Sequence, residues 1–220
     1  MHSFIRYASS CLLLALALAN LAFAAKEFVA PEVHPARTYP ANEEHRDEHV
    51  VVAIDPFDTS SKTGIFTVHY GEHDFLPVRL IITNDGDEPI ELSDLKVRLI
   101  TANRTKIPVA TTDDLYRRLS SPQRNDQPSA SPIPLPGRKA VKGALSRNAK
   151  DEIENAQFAA RAVEPHSTQA GFLFFDIQGI SDPLPGAHID VTGMRNSRGG
   201  PLMFFDVPLD KYLNSTPTKP

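Results

Sequence analysis

Apolar side chains recur at every second position through much of the first half of the chain, the period of a β-strand with one buried face. "HVVVAIDPFD" (49–58) reads as a β-branched strand stopped by Pro56. In "GIFTVHY" (64–70), Phe66, Val68 and Tyr70 share one face, with Thr67 and His69 on the other. "FLPVRLIITNDGDEPIEL" (75–92) predicts a strand, a tight polar turn and a second strand. Val78, Leu80 and Ile82 point one way there, Arg79 and Thr83 the other, and the Asn-Asp-Gly cluster tolerates the turn conformations needed to reverse the chain. Ile90 and Leu92 occupy even positions whereas Leu95, Val97 and Leu99 occupy odd ones. That phase slip at Ser93-Asp94 predicts a β-bulge or a crossing between sheets. Three later strands are expected at 170–177, 187–194 and 201–207, for about seven in all.

A different pattern fills residues 111–164. "TTDDLYRRL" predicts a short helix with threonine caps and acids in its first turn. Residues 120–147 carry Pro122, Pro128, Pro132, Pro134 and Pro136, with five basic residues against one acid. From Asn148 a second helix is expected, with Ala149, Ile153, Ala156, Ala160 and Val163 on one face and Pro165 as its stop. Asp151 and Glu152 fall in its expected first turn. The whole of 111–164 reads as an insertion between strands. Ahead of the strands, 25–47 is polar and proline-spaced and predicts an extended leader; 211–220 reads as a tail.

"LPVRLIITNDGDEPIEL" followed far downstream by "VEPHSTQAGFLFFDI" resembles the small secreted bacterial immunoglobulin-like domains of unassigned function. Strand, Asn/Asp/Gly turn and strand come first in both, then a proline-led corner and a G-x-L-x-F strand. The likeness spans 48–208 outside the insertion. Where the family often has Pro-Gly at the corner, this chain has Pro165-His166. The resemblance implies an all-β, immunoglobulin-like sandwich of about seven strands over 48–210, serving binding or assembly, and it brings no catalytic residues with it.

The first 24 residues predict an address. Arg6, the apolar "CLLLALALA" (11–19) and the Ala22-x-Ala24 signature have the form of a secretory signal peptide. Cleavage there leaves 196 of the 220 residues and removes Cys11, the one cysteine, so thiol nucleophiles and cysteine-based metal sites are excluded from the mature chain. The 23 basic residues fall by one, Arg6, to 22 against 27 acids, a formal charge of −5 that gives no reason to expect nucleic acid. Secretion across an inner membrane, to the periplasm or beyond, is the expectation. Partners would be another envelope or extracellular protein, or an anionic surface polymer.

Candidate chemistry changes that picture little. "HRDEH" (45–49) matches the inverted zinc-peptidase pattern H-x-x-E-H, in which His45 and His49 would be ligands and Glu48 the base. It stands in the polar leader without an apolar helical face, which favours a solvated linker. His69 and His73, with Asp74, form a second pair with metal-ligand chemistry. Asp176 and Asp206, in the recurring "FFDI" and "FFDV", would form a carboxylate pair only if their strands were neighbours. The basic, proline-rich "SPIPLPGRKAVKG" (131–143) is the main binding candidate, through Arg138, Lys139 and Lys142, extended by Arg117 and Arg118. An exposed strand edge would offer another route to a partner. "NRT" and "NST" place sequons at Asn103 and Asn214. No G-x-S-x-G elbow or phosphate-cradling glycine loop occurs. The expectation is a non-catalytic module needing no cofactor. A secreted metal-binding protein or metal-dependent hydrolase, and a structural envelope component, are the alternatives.

Overall fold

A computed structural model of the chain describes residues 27–120 and 145–215. Strands dominate it. β1 (Ala41–His45), β2 (Val50–Pro56), β3 (Phe75–Asn84) and β8 (Ser167–Asp176) form one antiparallel sheet in the order β1-β2-β3-β8. A second takes the order β11-β9-β5-β6, from Phe205–Pro208, His188–Thr192, Lys96–Ile100 and Lys106–Pro108. A small third sheet joins β10 (Arg195–Asn196), β4 (Ile90–Glu91) and β7 (Ala162–Val163).

The two large sheets face one another across the main core. Val50, Val52, Ile54, Val78, Leu80 and Ile82 of the first sheet share that core with Val97, Leu99, Ile189, Val191, Phe205 and Val207 of the second. Register follows the pleat: Val52 lies opposite Ile82 and Ile54 opposite Leu80, so the even positions of both strands turn inward together. The phase slip resolves as a crossing. Leu92 and Leu95 close a turn between β4 and β5, and Ile90, Leu92, Val97 and Leu99 all reach the same core from different sheets.

The other face of the first sheet is covered as well, and every residue of β3 is buried. Val51, Ala53 and Ile81 pack beneath Ala36 of the leader. Arg79 and Thr83, expected on a polar face, hold that leader down. The Arg79 guanidinium donates to the carbonyls of Pro31 (2.7 Å) and Glu32 (3.0 Å), and the Thr83 hydroxyl oxygen accepts the Ala36 N–H at 2.8 Å. The leader therefore lies across the sheet, and its last part, Ala41–His45, is strand β1, hairpinned to β2 with Glu43 opposite Val52. A polar strand can sit there because only its inward positions, Ala41 above all, need be apolar.

Further along the same face, a second cluster gathers Phe57, Phe66, Tyr70, Phe75, Phe172 and Phe174. Leu115 of α2 (Thr112–Leu119) and Ile153 and Ala156 of α3 (Arg147–Ala156) cap it; a four-residue helix, α1 (Ser60–Thr63), precedes them. The Thr111 hydroxyl accepts the Asp114 N–H while the Asp114 carboxylate accepts the Thr111 N–H, the reciprocal capping box that starts α2. α3 begins earlier than expected, with Ser146 as cap, so Asp151 and Glu152 are past its first turn. It also stops at Ala156. Gln157 and Phe158 instead run extended along β8, and Ala162–Val163 forms β7. "GIFTVHY" is not a strand: residues 65–69 are irregular and Tyr70–His73 is a 3₁₀ turn. The tail begins as α4 (Asp210–Ser215), which buries Tyr212.

Parts of the sheet edges are occupied, which narrows the room for the partner strand that an exposed edge would accept. Backbone N–H groups of Met203 and Asp206, beside and in edge strand β11, donate to Glu48 and Glu43. On β8, the carbonyls of Phe174 and Phe172 accept the N–H groups of Ala110 (2.7 Å) and Phe158 (3.0 Å). Strand β6 is three residues long and ends in Pro108, which has no N–H. Such devices block edge-to-edge strand addition.

Candidate binding cleft

At the end of the first sheet where β2 finishes and β3 begins, the chain leaves a cleft of about 780 Å³. Its position follows from the connection between the two strands. Pro56 ends β2 and Phe57 turns back, its N–H on the Pro77 carbonyl at 2.9 Å. The intervening residues fold over the sheet's outer face because Phe66 and Tyr70 find rings there. Phe66 meets Phe172 edge-on at 5.0 Å, Phe57 meets Phe172 at 4.7 Å and 89°, and Tyr70 lies 4.5 Å from Phe174. Aromatic contacts of this geometry add to simple burial.

One buried carboxylate fixes the fold of this segment. Glu152 of α3, 3% exposed, accepts the Thr67 N–H at 2.6 Å, the Val68 N–H at 3.2 Å and the Thr67 hydroxyl. Those are the backbone donors that a strand neighbour would otherwise satisfy, which is why an alternating sequence is not a strand here. The phenol of Tyr70 sits beside this carboxylate. Burial first, and then the Glu152 charge, push its phenol well above the ordinary tyrosine range.

Phe57, Phe66, Tyr70, Phe75, Leu76 and Leu184 form the buried wall of the cleft, and Val68, Ile177 and Pro183 its half-buried flank. The second side comes from the loop after β8, anchored by the Ile177 N–H on the Asp74 carbonyl at 2.9 Å. Exposed Asp58, Glu72, Asp182 and His69 stand at the rim, and among the described residues no lysine or arginine lines the cleft. Asp58 accepts the Tyr212 hydroxyl at 2.5 Å. Nearby Lys62 is tied to Asp55 and to the Pro56 carbonyl (3.0 Å), its ammonium 4.3 Å from the centre of the Tyr212 ring. The arrangement offers an apolar, aromatic interior with carboxylates at its mouth.

The sequence candidates are placed apart. His73 precedes the start of β3, and His49, whose carbonyl accepts the Asp85 N–H, sits at its far end. At ~3.3 Å per residue, the ten residues of β3 hold the pairs His45/His49 and His69/His73 roughly 30 Å from one another. Among the described residues no group of three or more His, Cys, Asp or Glu side chains is arranged to hold a metal ion. The ring nitrogens of His45 instead lie 3.1 Å from Glu48 and 3.3 Å from Glu43, with the ring stacked on Phe205 at 3.8 Å. Asp176 and Asp206 belong to different sheets, Asp176 bound by Arg118 and Asp206 within 3.7 Å of His188. Arg118 also lies over the Phe75 ring at 4.9 Å, so it ties α2 to the sheet; Arg117 is an exposed partner of Asp114. Arg138, Lys139 and Lys142 lie outside the described residues. Of the candidates within the described residues, His69 alone lines the cleft. The remaining lining residues are drawn from two segments about a hundred positions apart, and single apolar residues in loops give no local signal of that kind.

No protein-family model, no curated protein and no solved structure matches the chain. No helix among the described residues is long and apolar enough to cross a membrane.

Proposed function

We propose that this protein is an exported, non-catalytic recognition module of immunoglobulin-like type, acting at the cell envelope or outside the cell and taking part of its partner into the cleft. Two features support the immunoglobulin-like assignment. β2-β3-β8 in one sheet and β11-β9-β5 in the other have the arrangement of strands A-B-E and G-F-C, with β6 beside β5 where variable-type domains place C′. Helices α2 and α3 occupy the stretch of chain between C′ and E, and β1 extends the first sheet beyond A. The signal-like first 24 residues support export, and the absence of cysteine after them leaves the hydrophobic core to hold the domain in an oxidising compartment.

The observation that carries the recognition role is the cleft: a concave site with an aromatic wall and a few polar groups at its mouth, in the ~300–1,000 Å³ range of ligand sites. Its test is a thermal-shift screen of short peptides and small molecules on the cysteine-free chain, with hits mapped by amide chemical-shift changes. The expected result is hits whose shifts concentrate in 57–72 and 177–184. Hits that map elsewhere, or none at millimolar concentration, would remove the basis for the role.

A further inference from the structure

We infer that helix α4 is a strap across the cleft, with Tyr212 as the residue that sets the spacing of the two walls. How the walls are held does not depend on what enters between them. The first wall is the connection from Phe57 to Glu72, the second the loop from Ile177 to Leu184. One tie between them is main chain, the Ile177 N–H on the Asp74 carbonyl just before β3. The other runs through α4. Tyr212 reaches the first wall: its hydroxyl donates to Asp58 at 2.5 Å, and the Lys62 ammonium lies 4.3 Å from the centre of its ring. The same helix holds the second wall. There the Leu209 N–H donates to the Ala187 carbonyl at 3.0 Å, and the Asp210 carboxylate accepts the Gly186 N–H at 3.2 Å. Ala187 in turn closes a turn on Leu184, a lining residue, through its own N–H at 3.0 Å.

Burial seats the strap. Leu209 and Tyr212 are almost fully buried, and they share the main core with Leu76, Leu184 and Ala187. A helix of six residues, Asp210–Ser215, is too short to persist in water on its own. α4 is therefore helical only while Tyr212 is seated, so folding of the helix and joining of the walls are one event. The Tyr212 hydroxyl ends on an exposed carboxylate, whose bond water can replace, which makes this the tie that lets go more readily. Two states follow. With the strap seated, the walls are joined at both ties. With it released, the first wall is free of α4, and the turn at Leu184–Ala187 loses its two partners. A partner that draws on α4 thereby changes the cleft, and a ligand that fits one spacing better biases the strap in return.

Distances between nitroxide labels on the two walls test this without a ligand. Cys11→Ser leaves the full chain free of cysteine, and exposed Ser61 and Ser181 then take one label each as Ser61→Cys and Ser181→Cys. Double electron–electron resonance should give one narrow distance for this parent, a broader distribution for Tyr212→Phe and a longer distance for Tyr212→Ala. Tyr212→Phe keeps the ring and removes the hydroxyl that bonds to the first wall. The Leu209 and Gly186 amides read the second wall, and they should nonetheless exchange about 3- to 10-fold faster. Ile107→Val in β6, outside the cleft lining, lowers stability elsewhere and should leave the distance as in the parent. Unchanged distances in a folded Tyr212→Ala, or unaltered exchange of the two amides in Tyr212→Phe, would overturn the strap, as would equal broadening in the Ile107→Val control. Where Tyr212→Ala does not fold, the phenylalanine variant alone decides. Neither readout involves a ligand, so failure here leaves recognition by the cleft standing, and a failed ligand screen leaves the strap standing.

Discussion

Replacing Glu152 with alanine tests how the cleft wall is built. The carboxylate accepts two backbone N–H groups and one hydroxyl from Thr67 and Val68, 85 and 84 residues away in sequence. Each buried donor left without a partner costs ~1–3 kcal/mol. Full loss at all three sites overstates the effect. Thr67 and Val68 are only half buried, and a neighbouring cavity of about 340 Å³ bounded by Thr67, Asn148 and Asn155 gives water access to the vacated space. The Thr67 hydroxyl can also rotate towards that water. Removing a buried charge returns some stability, and the Tyr70 phenol loses a neighbour that opposes its ionisation. The balance is a loss of about 2–4 kcal/mol. Urea denaturation should show the midpoint falling with an unchanged slope, and hydrogen exchange should show the Thr67 and Val68 amides opening far more than those of β3. A loss under ~0.5 kcal/mol with both amides still protected would refute the anchoring role, because the segment would then be held by its rings alone. Glu152→Gln separates charge from shape: one acceptor oxygen survives, so a smaller loss than for alanine is expected.

Tyr70 should stay protonated where an ordinary tyrosine, near ~10, ionises. Its folded-state value is raised, so its contribution to stability is complete below that point and disappears as pH climbs further. Ring-carbon NMR of Tyr70 between pH 9 and 11.5 checks this, and normal titration in the folded protein would contradict it. Gly171→Ala should be strongly destabilising. An added Cβ would lie 2.5 Å from the Phe158 Cα, so residues 157–158 must lift off β8; faster aggregation beside a stability loss of ~2 kcal/mol or more is the expected outcome in light scattering and urea melts. Arg118→Ala removes two bonds to Asp176 and a ring contact with Phe75; a cost of ~1–2 kcal/mol is expected, with Arg118→Lys recovering less than half, because an ammonium cannot reproduce the two-point contact. Equal stability of the lysine variant and the parent would show that charge alone suffices.

What the sequence reveals of this fold depends on whether a residue's environment is local. The turn at Asn84–Asp87, the crossing after Leu92 and the capping box at Thr111 are set by neighbours in the chain, and all are legible in it. Strand β3 is legible as a strand but not as a doubly covered one. Arg79 and Thr83 alternate with apolar residues just as solvent-facing ones would, and only the leader's carbonyls and N–H groups, more than forty residues upstream, make them interior. The "GIFTVHY" segment misleads for a related reason. Its period of two is real, yet its Thr67 and Val68 donors go to a carboxylate far along the chain, and tertiary context overrides the pattern. The cleft is the least legible element. It exists because residues near 57–77 and 177–184 converge at the end of one sheet, with no motif at either place.

The segment "HRDEH" shows how one spacing serves two geometries. On a helix, positions i and i+4 share a face and can grip one ion. Here the same residues span a hairpin turn, and His49 adopts a left-handed backbone, φ 56°, as the chain enters β2. His45 and His49 thus do different jobs. His45 stacks on Phe205 between Glu43 and Glu48, and each glutamate uses its other oxygen to take a backbone N–H beside or within β11. This clasp joins the first sheet's edge to the second's, and it removes the free donors that invite another strand. Charges in the leader thereby close the side of the molecule where an open sheet would recruit indiscriminately. The cleft, with its aromatic wall and the carboxylates at its mouth, stands instead at the end of the first sheet where β2 finishes.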